Sequence, residues 1–418
     1  MPTAAGPNSN EQGLVFAIDL GDIKNSYVGE PTTNIVTNPT FLGTVNTQSG
    51  GPAKNWVFSG ETTATGFQFY DADTAPIPLK FPEEGAVITK GPNAAGSNRR
   101  IYINTTLLPN TTYTFSCWMY FGKSFGSAWS QFQYDSSNTN LTTSYFPAFS
   151  TFAANNGYTT GEWFRWEGTL TTEPTASWCY IGPVISKGAD CLVAMQRMQM
   201  EIKPHSTSFV NGARSSTQGL LDLTGNTTPD VSNMSFDANS QLVFDGTDDG
   251  INVGNAAILS LSNGIGTVEA VVKFPSTWTA GSQYPNLISK GATAGWDTDG
   301  WALFGFRDWG GPKSWGFGMR NGGTNRITSR NNCPADVYLH IVATIDGSTI
   351  KLYENGVLYT TNTQTINPAA NNTNVYIGRD ASSQRFPGEI PVAKIYNRTL
   401  SAEEVANNYN VLKKRFNI

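Results

Sequence analysis

Apolar and polar positions alternate along most of this chain with the period of β-strands rather than helices. From Val337 to Ile345 the alternation puts Leu339, Ile341, Ala343 and Ile345 on one face and Tyr338, His340, Val342 and Thr344 on the other. Asp346-Gly347 follows, a dipeptide that accepts positive φ and closes a tight hairpin. Thr349–Tyr353 returns with Ile350 and Leu352 inward, and Glu354-Asn355-Gly356 turns the chain into Val357-Leu-Tyr359. Three short strands joined by two turns predict an antiparallel meander.

The same pattern continues through Asn374–Arg379, Phe386–Ile390 and Val392–Asn397. After Leu400, Ser401 stands three residues before Glu404, the spacing of a capping box. Val405, Tyr409 and Leu412 then recur at helical spacing, and Lys413, Lys414 and Arg415 fall where cations suit the helix dipole. Upstream, Gly266–Phe274, Asn286–Lys290, Trp301–Phe306, Trp315–Met319 and Asn325–Thr328 complete the strands expected of a sandwich.

Tyr353–Gly356, Ile377-Gly378, Gly388–Ile390 and Tyr396–Glu404 occur in the order typical of laminin-G-like, concanavalin A-like β-sandwiches, and residues 211–418 resemble that family. The opening elements resemble it too, but they are split. Gly13–Leu20 matches its first strand, while Asp222–Asn226 and Phe244–Ile251 match its next two. The intervening stretch of roughly 180 residues is far beyond ordinary loop lengths. It contains aromatic-rich strands at Thr112–Tyr120 and Glu162–Leu170 that resemble carbohydrate-binding-module jelly rolls. A closing strand, Cys191–Ile202, is expected to turn Leu192, Ala194, Gln196, Met198 and Met200 to one face as a Met-rich core.

The expected organisation is all-β: an arm at 1–12, the first sandwich strand within 13–30, a jelly roll at 31–210 and the laminin-G-like sandwich at 211–418 with a short C-terminal helix. The jelly roll then interrupts the sandwich, because lengthening a loop costs little entropy. Two tandem domains, with Gly13–Leu20 pairing inside the first, are the alternative.

Composition narrows the function. Charged residues are 14% of the chain, well below the ~25% of ordinary domains, and Asn, Thr, Ser and Gly take their place. A net charge of −5, with no basic block besides the short Lys413–Arg415 run, speaks against nucleic acid as a partner. No apolar run is long enough to span a membrane as a helix. The start, Met1–Asn8, has neither the basic nor the apolar region of an export signal, so synthesis in a cytoplasm is expected. Cys117, Cys179, Cys191 and Cys333 are too scattered for a disulfide framework, and buried thiols are expected, with a Cys179–Cys191 bridge as the alternative.

Catalysis finds little to work with. A retaining glycanase needs two carboxylates about 5–5.5 Å apart, and the paired-acid strand motif of glycanases on this fold does not occur. Glu269 stands alone on its strand, Glu403-Glu404 suit a helix start, and His205 and His340 lie in different domains. The expectation is a protein that is not an enzyme. Asp245, Asp248 and Asp249 share a short loop whose hard oxygens would suit calcium, although aspartates also form turns for backbone reasons. No other cofactor is expected.

Exposed aromatics beside polar side chains form platforms on which sugars stack. The candidates are Trp296, Trp309 and Trp315 with Asp297, Asp299, Arg307 and Asp308, and Trp129 and Tyr134 in the jelly roll. Core or subunit-interface tryptophans are the competing reading.

The combination resembles bacteriophage virion proteins (capsid decoration proteins, head fibres or tail fibres), as does the Phe209–Ser215 connector. That resemblance implies an adhesive structural part on the particle surface. Its arm would dock on other capsid or tail proteins, its sandwiches would meet host glycans, and it would form a trimer or other homo-oligomer. A secreted bacterial carbohydrate-binding protein or glycanase is the rival expectation.

Overall fold

The computed structural model describes residues 10–42, 56–59, 67–92, 99–123, 128–141, 148–185, 190–276, 284–291, 299–306, 314–363, 367–382 and 384–418. The architecture is β-sandwich throughout, with α-helices only at Phe149–Asn155 and Ala402–Phe416 among these residues. The chain divides into two compact units. One comprises Met1–Pro31, Ser215–Asp237 and Gln241–Ile418; the other comprises Thr32–Arg214 with Ala238–Ser240.

In the first unit an eight-stranded sheet runs in the order Ser235–Phe236, Leu242–Asp245, Pro387–Tyr396, Ile265–Lys273, Tyr338–Asp346, Thr349–Glu354, Val357–Thr363. Leu14–Asp19 also pairs with Pro387–Tyr396, antiparallel, with Ile18 opposite Ala393. Facing this sheet is a seven-stranded one: Asp230–Asn233, Gly250–Gly254, Val375–Ile377, Asn286–Lys290, Gly300–Phe306, Ser314–Asn321, Thr324–Arg330. Phe16, Val268, Ile341, Leu352, Leu303 and Phe317 belong to the single apolar core between them.

Local chemistry sets the turns. Asn355 and Gly356 both have positive φ (50° and 78°), the two-residue geometry that matches strand twist, and Gly347 has φ 87°. Ser401 caps the last helix: its hydroxyl accepts from the Glu404 N–H, while the Glu404 carboxylate accepts from the Ser401 N–H. Leu339, Ile341, Ala343 and Ile345 enter the core, as the alternation predicts. The opposite face is not solvent-exposed, however: His340, Val342 and Thr344 are buried too. Val405 of the C-terminal helix packs with Val342, Tyr353 and Tyr396, and Leu412 packs with Val271 and Val392, so that helix roofs the outer face of the sheet.

The second unit has a four-stranded sheet (Trp56–Ser59, Arg99–Thr106, Trp178–Ile185, Ala128–Tyr134) and a five-stranded one (Gln68–Tyr70, Ala86–Pro92, Asp190–Glu201, Thr112–Phe121, Trp163–Thr171). Its core includes Phe115, Trp166, Met195, Met198 and Met200. The expectation that Leu192 through Met200 share one face is corrected here. The register shifts between Gln196 and Gln199, where Arg197 has φ 49°, and the bulge reverses the alternation. Val193 and Met195 therefore join Met198 and Met200 inside, while Ala194 and Leu192 pack in a separate cluster with Ile77 and Ile88. All four cysteines are buried free thiols.

Candidate functional site

The aromatic platform expected at the Trp296–Trp315 loops is not the site that the described residues form. Trp296, Asp297, Arg307, Asp308 and Trp309 lie outside them. Trp315 is fully buried in the sandwich core, and its indole Nε1 donates to Glu354 Oε2 at 3.0 Å. That corrects its assignment as an exposed sugar platform: every residue from Ser314 to Met319 is buried, so alternation along this strand does not reveal which side is open. Asp299 is partly exposed, with a carboxylate oxygen 3.5 Å from Arg320 Nε. In the second unit, Trp129 sits in a strand opposite Val184. Tyr134 stacks on Trp178 (ring centroids 4.3 Å apart, planes at 10°), which covers one face of its ring.

One carboxylate oxygen from each of Asp245, Asp248 and Asp249 lies within 4.8 Å of the others, so the trio could hold a hard cation. Two of the three carboxylates already have work in the turn. Asp249 accepts the N–H of Ser235 (2.6 Å) and of Asp245 (2.7 Å), and Asp245 accepts that of Thr247 (2.7 Å). Burial raises the Asp249 carboxyl; burial pulls Asp245 the same way, but turn N–H groups outweigh it and lower that carboxyl. Turn formation accounts for Asp245 and Asp249.

Glu269 is not alone in space. Its buried carboxylate accepts from Lys394 Nζ (3.1 Å) and Asn408 Nδ2 (2.6 Å), and His340 Nε2 lies 3.2 Å away without hydrogen-bond alignment. Burial by itself would raise this carboxyl, but Lys394, His340 and Asn408 outweigh it and hold the group far below its ordinary range. A carboxylate locked in its ionised form is unsuited to donate a proton. It ties the helix to the sheet.

The described residues do shape a groove of about 510 Å³ beside the end of the C-terminal helix. That volume falls in the range of small-ligand sites. Leu242, Val243 and Ile390 give it an apolar floor, while Asp237, Gln241, Glu389 and Arg415 bring polar groups to it. Its aromatic walls are Tyr338 and Phe416, edge to face with centroids 5.2 Å apart. Glu389 accepts from Lys273 Nζ (2.8 Å) and from the Tyr338 hydroxyl. Burial, then the hydrogen bond and charge of Glu389, push the Tyr338 hydroxyl up to about 12. The Glu389 carboxyl is lowered, because Lys273 and Tyr338 outweigh the effect of burial. Arg415 pairs with Asp19 and lies over the Phe416 ring at 4.7 Å. The groove thus combines apolar ring surface with an ionised acceptor and an amide, the chemistry that matches a sugar's apolar face and hydroxyl edge. Sequence reasoning missed it, since its walls come from five separate stretches of chain; the one signal was Arg415-Phe416 closing an amphipathic helix.

Part of the first unit is similar to a known family. Residues 245–406 match the laminin-G family model of the concanavalin A-like lectin/glucanases superfamily. No curated protein matches the chain in sequence. Among solved structures, domain 4 of the extracellular arabinanase AbnA from Geobacillus stearothermophilus, in complex with arabinotriose, is similar at 17% identity and a TM-score of 0.35, over 47% of this chain and 93% of that one. The botulinum neurotoxin serotype D binding domain is similar at 15% identity and a TM-score of 0.37, over 47% of this chain and 49% of that one. The CBM40 of Ruminococcus gnavus IT-sialidase, bound to α2,3-sialyllactose, is similar at 20% identity and a TM-score of 0.32, over 39% and 94%. Likenesses at these TM-scores carry no weight for ligand or site.

Proposed function

We propose that this chain is a glycan-binding adhesion protein without catalytic activity, displayed on a bacteriophage particle. The observation that carries the glycan reading is the groove, where Tyr338 and Phe416 meet Gln241 and an ionised Glu389. The match of residues 245–406 to a superfamily of lectins and glucanases supports it. The non-catalytic reading rests on the sequence, which lacks the paired-acid strand motif, and on Glu269, whose carboxylate is enclosed beneath the helix by Lys394 and Asn408. The virion reading rests on the sequence: sparse charge, an Asn/Thr/Gly-rich surface, an irregular N-terminal arm and the Phe209–Ser215 connector. In that setting the arm docks on capsid or tail proteins and copies of the chain form a homo-oligomer.

A glycan array with the full chain and Phe416→Ala tests the groove. Binding that drops at least tenfold in the variant, about 1.4 kcal/mol, is the expected result. An array silent for the intact chain, or binding unaffected by Phe416→Ala, refutes the groove as the site. Product release from a polysaccharide panel would instead establish the rival glycanase reading.

A further inference from the structure

We propose that the groove beside the C-terminal helix selects its sugars by charge, taking neutral ones and rejecting those that carry a carboxylate or sulfate, with Glu389 as the residue that sets the choice. This inference rests on the reading of that groove as a glycan site and adds the class of sugar it takes.

The charges at the groove are unequal. Among the described residues that line it, Asp237 and Glu389 are acids and Arg415 is the one base. That guanidinium is already committed. Its two terminal nitrogens donate to the two carboxylate oxygens of Asp19, and its plane lies over the Phe416 ring at 4.7 Å. Lys273 reaches the same neighbourhood without lining the groove, and it is spent on Glu389: its Nζ is 2.8 Å from Oε1 and 5.4 Å from the centre of the Tyr338 ring. An incoming anion therefore meets no cation at the groove that lacks an acid beside it. To bind, it would have to take Arg415 from Asp19 or Lys273 from Glu389.

Hydrogen-bond chemistry points the same way. An ionised carboxylate only accepts, and it has about four lone-pair sites. On Glu389, Oε1 accepts from Lys273 and Oε2 from the Tyr338 hydroxyl, which leaves about two sites for a ligand. The side chain is 49% exposed, so those sites are within reach. A sugar hydroxyl can donate to them. A carboxylate or sulfate on the sugar cannot, because it too only accepts, and its charge repels Glu389 besides. The Tyr338 and Phe416 rings take the apolar face of a sugar whether or not it carries an acid. Affinity thus comes from surfaces that both kinds of sugar share, while Glu389 decides between them. Like charges about 4 Å apart in surroundings this open weaken binding by about fivefold, and salt screens the effect.

The test is a glycan array printed with matched pairs, each a neutral sugar and its uronic acid or sulfated counterpart, probed with the full chain, Phe416→Ala and Glu389→Gln. Spots lost in Phe416→Ala belong to the groove. Among them, the neutral member of each pair should bind the wild type at least fivefold better at low salt, with the gap closing as salt rises. Glu389→Gln removes the repelling charge and leaves Lys273 without its acid, so the acidic members should gain at least fivefold; an unchanged melting temperature controls for folding. Groove-dependent spots on which acidic members equal or exceed their neutral mates in the wild type overturn the proposal and leave the glycan reading standing. So does a gap that a folded Glu389→Gln variant does not move. A silent array, or binding indifferent to Phe416→Ala, sinks the glycan reading of the groove and this inference with it.

Discussion

Replacing Glu269 by Gln removes a single charge from the polar cluster that fastens the C-terminal helix to the eight-stranded sheet. Shape is retained, and the side-chain carbonyl can still accept from Lys394 or Asn408. What changes is electrostatic: Lys394, whose side chain is 8% exposed, loses its only carboxylate within ion-pair distance among the described residues, beside a fully buried His340. Breaking a buried pair by removing one partner costs about 3–5 kcal/mol, and the retained acceptor places this case near 3 kcal/mol. For a unit of this size that corresponds to a melting-point drop of roughly 6–12 °C. The pH dependence supplies a second, independent reading. The folded Glu269 carboxyl lies below its ordinary value of 4.5, so its contribution is fully present above that value and fades as pH falls toward the folded pKa. Calorimetry of wild type and variant should show a wide gap at pH 7 that narrows below about pH 4.5. A gap under about 1 kcal/mol at pH 7, or one that stays constant from pH 7 to strongly acidic conditions, refutes the assignment of Glu269 as an ionised anchor.

Two further outcomes follow from burial and capping. Trp315→Ala should cost about 3–5 kcal/mol through the cavity it leaves, read as a lower urea midpoint; a loss under about 1 kcal/mol would mean that Trp315 is not a core residue. Ser401→Ala removes the hydroxyl half of the capping box and should cost about 1 kcal/mol, with faster hydrogen exchange confined to the first turn of Ala402–Phe416; unchanged exchange there would sink the capping argument.

Much of the architecture was legible because its causes are local. Asn355-Gly356 specifies its turn by accepting positive φ, Ser401 and Glu404 specify a helix start by mutual hydrogen bonding, and Leu339–Ile345 specifies a core face by alternation. The bulge at Arg197 was not legible, because one extra residue reverses the facing of Met198 and Met200 and leaves no mark in the residue types. Nor was the burial of His340, which depends on a helix that begins some sixty residues later.

The candidate site marks the same division more sharply. By itself, the sequence determined strands, turns and the closing helix, since each depends on neighbours along the chain. Only the tertiary structure decided that Trp315 lies inside, that Glu269 is held by Lys394 and Asn408, and that Tyr338 meets Phe416 over Leu242 and Glu389. Those outcomes depend on which surfaces water leaves when the two sheets and the helix close on one another, and that exclusion joins residues hundreds of positions apart.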